Sequence, residues 1–214
     1  MVRLAVLLFA SLLFTLPARA ETPQAPAERA RVLEFEASTL TGAARGEVLA
    51  RAGRAWLLAG QAARAFDAQS QALALVETDA ALWVDRSFAR RLMGRPWEAM
   101  DDLHRALDLD PRHVEALVFR AELYRALGQL DLASDDLERA LSLEPRHPEA
   151  LYNRGELRRL AGDWLGARAD WRRLTLEAPH TPAAHSARAA LRALEQNTAA
   201  AKAPPATLEA SALR

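Results

Sequence analysis

The chain contains no cysteine among its 214 residues, so disulfides cannot stabilise it and the sequence predicts no acyl-anchored lipoprotein. Lysine is nearly absent too, because Lys202 is the only one and arginine supplies the rest of the positive charge. Basic and acidic side chains number 28 each and are interleaved along the chain. The sequence therefore predicts no nucleic-acid partner and no attraction to an anionic membrane surface through net charge.

Short motifs that hold nucleotides or build nucleophiles are also missing. The sequence has no GxGxxG, no phosphate-binding GxxxxGK, and no serine in a GxSxG turn. Histidines recur at His113, His147 and His180. Equivalent residues of stacked helices lie about 10 Å apart, too far for two imidazoles to share one ion. We predict that these histidines form hydrogen bonds at turns and helix starts, and we predict no metal, no cofactor and no enzyme activity.

The first 20 residues have the pattern of a secretory signal peptide. Arg3 precedes an apolar run over residues 4–16, Pro17 follows it, and Ala18 and Ala20 occupy the −3 and −1 positions of a cleavage site. A retained membrane anchor is the alternative, but a membrane-spanning helix needs about 20 apolar residues. We therefore expect cleavage after Ala20 and a periplasmic protein with no stable membrane insertion.

Beside these absences the sequence has one strong regularity, a period of 34 residues. Glycine recurs at this spacing, an alanine follows each glycine by five residues, and prolines keep the same register in the last three units. These residues are Gly60, Gly94, Gly128 and Gly162; Ala65, Ala99, Ala133 and Ala167; and Pro111, Pro145 and Pro179. A fixed period of this length predicts a repeat array, in which each unit contacts its neighbours and the array presents an extended surface.

The period divides residues 46–181 into four units of two helices each, covering residues 46–79, 80–113, 114–147 and 148–181. The recurring glycine is position 15 of its unit and fits the left-handed residue that ends a first helix. Positions 8 and 20 are small in every unit, and we expect them to face each other where antiparallel helices cross. Larger apolar residues occupy position 4 and, in most units, position 24.

The segments on either side of the array are predicted from composition and apolar spacing. Residues 21–45 comprise a lead after the cleavage site and an N-terminal cap helix, whose candidate residues are 27–40. Residues 182–197 have the apolar spacing of a capping helix that covers the last unit. Residues 198–214 are rich in alanine and proline, which predicts a disordered tail.

Positions 7 and 23 change together along the array. In the last three units position 7 is arginine and position 23 is aspartate, whereas the first unit has alanine at both. We infer a partly buried ion pair between the two helices of a unit, with independent solvated charges as the alternative. The residues are Arg86 and Asp102, Arg120 and Asp136, Arg154 and Asp170, and in the first unit Ala52 and Ala68.

This pattern of small and large positions resembles the tetratricopeptide-repeat (TPR) family, whose unit has the same length. The resemblance covers residues 46–181. The first unit departs from it at Gln69, where a large apolar residue is usual, and at Glu77, which replaces the closing proline. The resemblance implies an all-α fold: a right-handed α-solenoid of antiparallel helix pairs with flanking cap helices.

In TPR folds the first helix of each unit lines a concave groove through positions 2, 5, 6, 9, 12 and 13. The resemblance implies that this groove binds a peptide or helix of a partner protein. The residues it places there are Arg51, Arg54, Asp85, Phe88, Arg91, Val118, Phe119, Glu122, Arg125, Tyr152, Asn153, Glu156 and Arg159. The alternative is that the phenylalanines pack between helices and the arginines pair with Glu122 and Glu156. Asn153 resembles the asparagine that holds a ligand's backbone, but the positions that grip free peptide C-termini match poorly.

The sequence as a whole predicts a periplasmic interaction scaffold, with envelope assembly as a setting suggested by analogy alone. The identity of the partner is not predicted. A structural subunit that oligomerises through its convex or terminal surfaces is the alternative, and an enzyme is the least favoured class. A homo-oligomer is compatible with either of the first two functions.

Overall fold

The computed structural model describes the backbone of residues 25–202 and side chains through residue 196. This part of the chain forms ten α-helices and no strand. The expected signal peptide, its cleavage site after Ala20 and the tail beyond residue 202 lie outside the described residues. The helices are α1 Pro26–Ser38, α2 Gly42–Leu58, α3 Ala62–Leu73, α4 Ala80–Leu92, α5 Pro96–Leu109, α6 Val114–Ala126, α7 Leu130–Leu143, α8 Pro148–Leu160, α9 Trp164–Glu177 and α10 Pro182–Lys202.

The helices pair in chain order to form an all-α repeat solenoid, as the sequence predicts. We refer to α2, α4, α6 and α8 as the A helices and to α3, α5, α7 and α9 as the B helices. A connection of only three residues joins each A helix to its B helix, so the two pack antiparallel. No described helix is both long enough and apolar enough to cross a membrane.

The turn between the two helices of a unit depends on its glycine. The four glycines have positive φ angles, a backbone conformation that residues with a Cβ rarely adopt. These angles are 71° at Gly60, 75° at Gly94 and Gly128, and 81° at Gly162. In the second unit the Gly94 N–H donates to the Arg91 carbonyl at 3.0 Å, and the Arg95 N–H donates to the Arg90 carbonyl at 2.9 Å. These bonds satisfy the last carbonyls of α4, so the predicted helix ending is confirmed.

Histidine side chains cap the N-termini of two A helices. The Nδ1 atom of His113 accepts a hydrogen bond from the Ala116 N–H at 3.4 Å, and Nδ1 of His147 accepts one from the Ala150 N–H at 3.3 Å. Such bonds satisfy N–H groups that have no partner within the first turn of a helix. The predicted role at helix starts is confirmed for these two histidines.

Position 8 faces position 24 in the first and fourth units, and the expectation that it faces position 20 is wrong there. A Cβ added to Gly155 would lie 2.7 Å from Cδ1 of Trp171, and one added to Gly53 would lie 2.6 Å from Cγ of Gln69. Three residues connect the two helices, with the turn glycine at position 15. Position 8, seven residues before this glycine, therefore contacts position 24, nine residues after it. Glycine at position 8 therefore leaves room for the side chain at position 24.

The predicted ion pairs form in all three units that carry them. Arg120 binds Asp136 through two hydrogen bonds, with Nε–Oδ2 at 2.8 Å and Nη2–Oδ1 at 2.7 Å. The pairs in the second and fourth units have the same arrangement. The aspartate side chains are at most 7% exposed and the arginines between 14% and 20%, so the pairs are partly buried as predicted. Hydrogen bonding to Asp136 raises the pKa of Arg120 above its ordinary value.

A second arginine, at position 11, joins two of these ion pairs. Arg90 Nη1 lies 2.7 Å from Asp102 Oδ1, and Arg158 Nη1 lies 2.8 Å from Asp170 Oδ2. Tyr124 occupies position 11 of the third unit, where the ion-paired guanidinium lies 5.7 Å from the ring centroid. The second and fourth units therefore place two guanidinium groups against one buried carboxylate, and the third unit places one.

Two hydrophobic clusters fill the solenoid. One is built by α1, α2 and α3 with Leu82 and Ala89 of α4, and the other runs from Val84 of α4 through α10. Trp83 packs against both clusters. The boundary between the two clusters therefore lies within α4, the first helix of the second unit.

The flanking helices are longer or placed differently from the sequence expectation. α1 packs on α2, where Trp56 Nε1 donates to Glu34 Oε1 at 2.7 Å. α2 itself begins at Gly42, before the expected start of the first unit at residue 46. α10 continues through residues 198–202, which the sequence analysis places in a disordered tail. The alanine-rich run there explains the difference, because alanine has the highest helix propensity.

Candidate binding groove on the A helices

The groove residues inferred from the sequence lie on the A helices, where neighbouring units meet. Within the described residues, three polar or ring contacts between side chains of successive A helices join position 9 of one unit to position 6 of the next. The chemistry differs at every contact: an ion pair, a pair of stacked rings and an amide hydrogen bond. They join Arg54 to Asp85, Phe88 to Phe119, and Glu122 to Asn153. Six of the predicted groove residues are thus also contacts between units.

The first contact is the ion pair between α2 and α4. Arg54 Nη1 lies 3.1 Å from Asp85 Oδ2, with the arginine side chain 52% exposed and the aspartate 21%. Burial raises the pKa of Asp85 to about 6, although Arg54 acts in the opposite direction. The carboxyl group therefore changes its charge near neutral pH, and the pair is weakest where Asp85 is protonated.

The second contact is aromatic. The rings of Phe88 and Phe119 stack with centroids 5.7 Å apart and an angle of 30° between their planes. The guanidinium of Arg91 lies 4.8 Å from the Phe88 centroid, within the range of a cation–π interaction. Both rings are half-buried, so the phenylalanines pack between helices and still contribute apolar surface.

The third contact holds the asparagine that resembles the family's backbone-binding residue. Asn153 Nδ2 donates to Glu122 Oε1 at 3.0 Å, and the side chain is only 4% exposed. Its amide nitrogen already has a partner within the protein. Glu122 therefore pairs with Asn153 rather than with an arginine.

Position 12 carries an arginine in each of the last three units, and the three have different surroundings. Arg159 pairs with Glu156 at 2.9 Å, and Arg91 stacks on a ring as described above. Among the described residues, Arg125 has no ion pair, and its buried Nε has no hydrogen-bond partner. Burial raises the pKa of Tyr152, and the positive charges of Arg125 and Arg159 oppose that shift. This end of the groove thus combines a half-buried phenol with a guanidinium that has no carboxylate partner.

The structure has a cleft that the repeat pattern does not predict. The cleft lies between α1 and α2 and has a volume of about 260 Å³. Its lining residues are Pro26, Arg29, Arg51, Arg54, Ala55 and Leu58. Arg51 and Arg54 belong to the predicted groove, whereas Arg29 comes from the helix that precedes the first unit. Nothing in the repeat pattern places Arg29, because its direction depends on how α1 packs.

Exposed apolar side chains also lie outside the groove, at the starts of the B helices. Trp97 of α5 is 64% exposed, and Trp164 and Leu165 of α9 are 49% and 80% exposed. Clusters of exposed large apolar residues commonly mark contact surfaces. Besides the groove, the described part of the chain thus has exposed apolar side chains at the starts of α5 and α9, which we call the apolar edge.

Comparison with known proteins agrees with this architecture. Residues 121–162 match the family model described as a TPR repeat, and no curated protein matches the chain. Among solved structures, MamA is 18% identical with a TM-score of 0.61, covering 71% of this chain and 88% of its own. A thermophilic TPR protein of Thermus thermophilus is 23% identical with a TM-score of 0.61, covering 71% and 81%. The first TPR of Spaghetti (RPAP3), bound to an HSP90 peptide, is 25% identical with a TM-score of 0.53, covering 58% and 99%.

Proposed function

We propose that this all-α repeat solenoid, whose residues 121–162 match the TPR repeat model, is an interaction scaffold that binds a peptide or helix of a partner protein in the groove of its A helices. The observation that carries this proposal is the cluster at the C-terminal end of the groove. There Arg125 has no carboxylate partner among the described residues and lies beside the half-buried Tyr152. Arginine and tyrosine are enriched among the residues that dominate binding energy at protein interfaces.

The similarity to a peptide-bound structure supports the kind of ligand. The first TPR of Spaghetti was solved with an HSP90 peptide, and nearly all of that domain matches this chain. A peptide laid across the A helices would contact positions 9 and 12 of successive units, which include Phe88 and Arg91, and in the fourth unit also Tyr152. The proposed function is therefore binding rather than catalysis.

The proposed location is the periplasm, after removal of residues 1–20 at Ala20. The support is the order of a basic residue, an apolar run and small residues at the cleavage site. Envelope assembly is the setting that we propose for the partner. The intact mass of the protein isolated from a periplasmic fraction tests the location directly, since cleavage after Ala20 leaves a chain that starts at Glu21.

Site-specific crosslinking tests the groove. A photoreactive residue replaces Tyr152 in the groove, or Glu138 on the exposed face of α7 as a matched position outside it. We expect a partner protein to be captured from Tyr152 only, and to be lost when Arg125→Ala is combined with Arg159→Ala. The control variant combines Arg105→Ala with Arg172→Ala, which removes two exposed arginines from B helices and should keep the partner. Capture from Glu138 alone would contradict the groove as the binding surface.

The apolar edge at the starts of the B helices favours a second candidate, a subunit that assembles with copies of itself. The exposed Trp97, Trp164 and Leu165 are the observation in its favour. Sedimentation of the purified protein over a range of concentrations tests it. A mass that rises with concentration and returns to that of a monomer in Trp97→Ser with Trp164→Ser would support assembly through this edge.

A further inference from the structure

The cleft between α1 and α2 gathers three guanidinium groups around an apolar floor. Arg29 comes from α1, and Arg51 and Arg54 come from successive turns of α2. Among the described residues, neither Arg29 nor Arg51 has a hydrogen bond or ion pair through its side chain. Arg54 uses only Nη1 for Asp85, which leaves its other nitrogens available. Like charges gathered at one cleft repel one another, so an anion bound there would be favoured.

The floor of the cleft indicates what accompanies that anion. Leu58, the last residue of α2, is 78% exposed, and Pro26 and Ala55 add further carbon atoms. An exposed leucine beside three arginines complements a ligand with a carboxylate next to an aliphatic group. Arginine suits a carboxylate in particular, because its planar fork of N–H groups can bind both oxygens at once.

The cleft is continuous with the groove. Arg51 and Arg54 occupy positions 6 and 9 of the first unit, and Arg54 reaches α4 through its ion pair. Further along, Arg91 and Arg125 add cations that have no carboxylate partner among the described residues. A segment lying along the A helices would therefore meet positive charge at both ends.

From this continuity and charge complementarity we propose that the cleft binds an internal Asp or Glu side chain of the partner segment, with the neighbouring aliphatic side chain against Leu58. The proposal rests on the proposed function, since the ligand is the same segment that occupies the groove. It adds two things: the partner's acidic chemistry, and a role for α1, which lies outside the four repeat units. The carboxylate is a side chain within the segment and not a free C-terminus, because the positions that would hold a free C-terminus match poorly.

A displayed peptide library is the probe for this site. Random 12-residue peptides are joined at their C-termini to the phage coat protein, so that none has a free C-terminal carboxylate, and are selected on the purified protein. We expect the enriched peptides to carry Asp or Glu next to Leu, Ile, Val or Met. An enriched peptide is then synthesised with both ends blocked, and its dissociation constant is measured by fluorescence anisotropy.

Paired variants locate the acidic residue. Arg29→Ala with Arg51→Ala should weaken binding of that peptide at least tenfold. The control, Arg31→Ala with Arg45→Ala, removes one arginine from each of the same two helices outside the cleft and should leave the affinity within twofold. Replacing the peptide's acidic residue by its amide should weaken binding to the wild-type protein by a similar factor. The same replacement should cause almost no further loss of affinity for Arg29→Ala with Arg51→Ala, the cleft variant. Arg29 and Arg51 are both exposed, so the variants should fold, as circular dichroism will verify.

The possible outcomes distinguish the acidic cleft from the proposed peptide binding in the groove, on which it rests. Enriched peptides without acidic residues, whose binding is weakened by Arg125→Ala but not by the cleft variant, would overturn the acidic cleft and leave the groove standing. Peptides insensitive to both sets of variants, or no enrichment at all, would overturn both proposals. Arginine-dependent binding to a single-stranded oligonucleotide or to phosphatidylglycerol vesicles, without peptide binding, would also overturn them, since it assigns the cleft to another class of anion.

Discussion

The contact between the two helices of a unit at positions 7 and 23, here called the joint, differs between the first unit and the last three. In the first unit Ala52 and Ala68 occupy positions 7 and 23 and are fully or almost fully buried. In the third unit the same positions hold Arg120 and Asp136, joined by two hydrogen bonds. The helices pair in both cases, so pairing itself does not require charge at these positions. Once one charge is buried there, however, the other becomes necessary.

Position 24 differs in a parallel way between the first and the fourth unit. Gln69 is completely buried in the first unit, and among the described residues neither atom of its amide has a hydrogen-bond partner. Trp171 fills the position in the fourth unit, and its Nε1 donates to the Tyr152 carbonyl at 3.3 Å. The first unit thus leaves a polar group unsatisfied where the fourth has a satisfied aromatic residue.

Removal of one member of an ion pair should lower the free energy of unfolding more than any other change considered for the two kinds of unit. Asp136→Ala leaves the guanidinium of Arg120, which is 17% exposed, without its carboxylate. We expect the free energy of unfolding to fall by about 3 kcal/mol. The double variant, Arg120→Ala with Asp136→Ala, gives this unit the alanine joint of the first unit and should lose less than the single variant. Urea denaturation followed by circular dichroism measures both.

The control for this prediction is the preceding aspartate. Asp135 is exposed on the same helix, and Asp135→Ala should change the free energy of unfolding by no more than about 0.5 kcal/mol. If the double variant loses the sum of the two single losses, the two residues are not coupled, and the inference from their shared occurrence is wrong.

The second-largest effect concerns the glycines at position 8, whose replacement should destabilise the fourth unit more than the first. Gly155→Ala would force a methyl group against the rigid Trp171 indole, whose Cδ1 would lie 2.7 Å away. We expect a loss of about 2 kcal/mol. Gly53→Ala meets only the flexible side chain of Gln69, which can move aside, and should cost less than half as much. Thermal unfolding of the two variants side by side tests the prediction, and equal losses would contradict it.

The unsatisfied amide of the first unit offers a stabilising change. Gln69→Leu introduces the residue that occupies position 24 in the second and third units, and it removes two buried polar atoms without partners. We expect a gain of about 1 kcal/mol in the free energy of unfolding. Gln71→Leu, an exposed change on the same helix, is the control and should be close to neutral. A loss of stability in Gln69→Leu would indicate that the amide is bonded in solution.

Features that recur in one register of the 34-residue period could be predicted from the sequence. Left-handed turns select glycine, so the 34-residue period of glycines predicts the helix pairs. The ion pairs followed because arginine and aspartate occur together. The same register also continues in α10, where Arg188 follows Arg154 by 34 residues and donates to the Pro179 carbonyl at 2.5 Å. Arg188 is therefore position 7 of a further register after the fourth unit.

Contacts between units could not be predicted in the same way. Position 9 contacts position 6 of the next unit, but the residue types differ at each contact, so no pairing rule recurs in the sequence. Arg54 with Asp85 and Glu122 with Asn153 share a spacing and no chemistry. The direction of Arg29 depends on the packing of α1, which lies outside the repeat register. The sequence therefore predicts which helix faces line the groove. It does not predict the side-chain contacts between units or the cleft between α1 and α2.

A further effect of similar size concerns the ion pair that joins the first unit to the second. Burial raises the pKa of Asp85 from 3.8 to about 6, Arg54 and His113 oppose this shift, and Asp79 adds to it. A carboxyl whose pKa is higher in the folded state binds more protons there, so its contribution to stability is fully present below pH 3.8 and is lost as the pH rises through 6. Between pH 5 and pH 7 the loss should be about 1 kcal/mol. Asp85→Asn cannot titrate, so the difference in unfolding free energy between wild type and this variant should change by that amount over the interval. A difference that stays constant with pH would assign Asp85 an ordinary pKa, and the contact between the two units would then be a fixed ion pair.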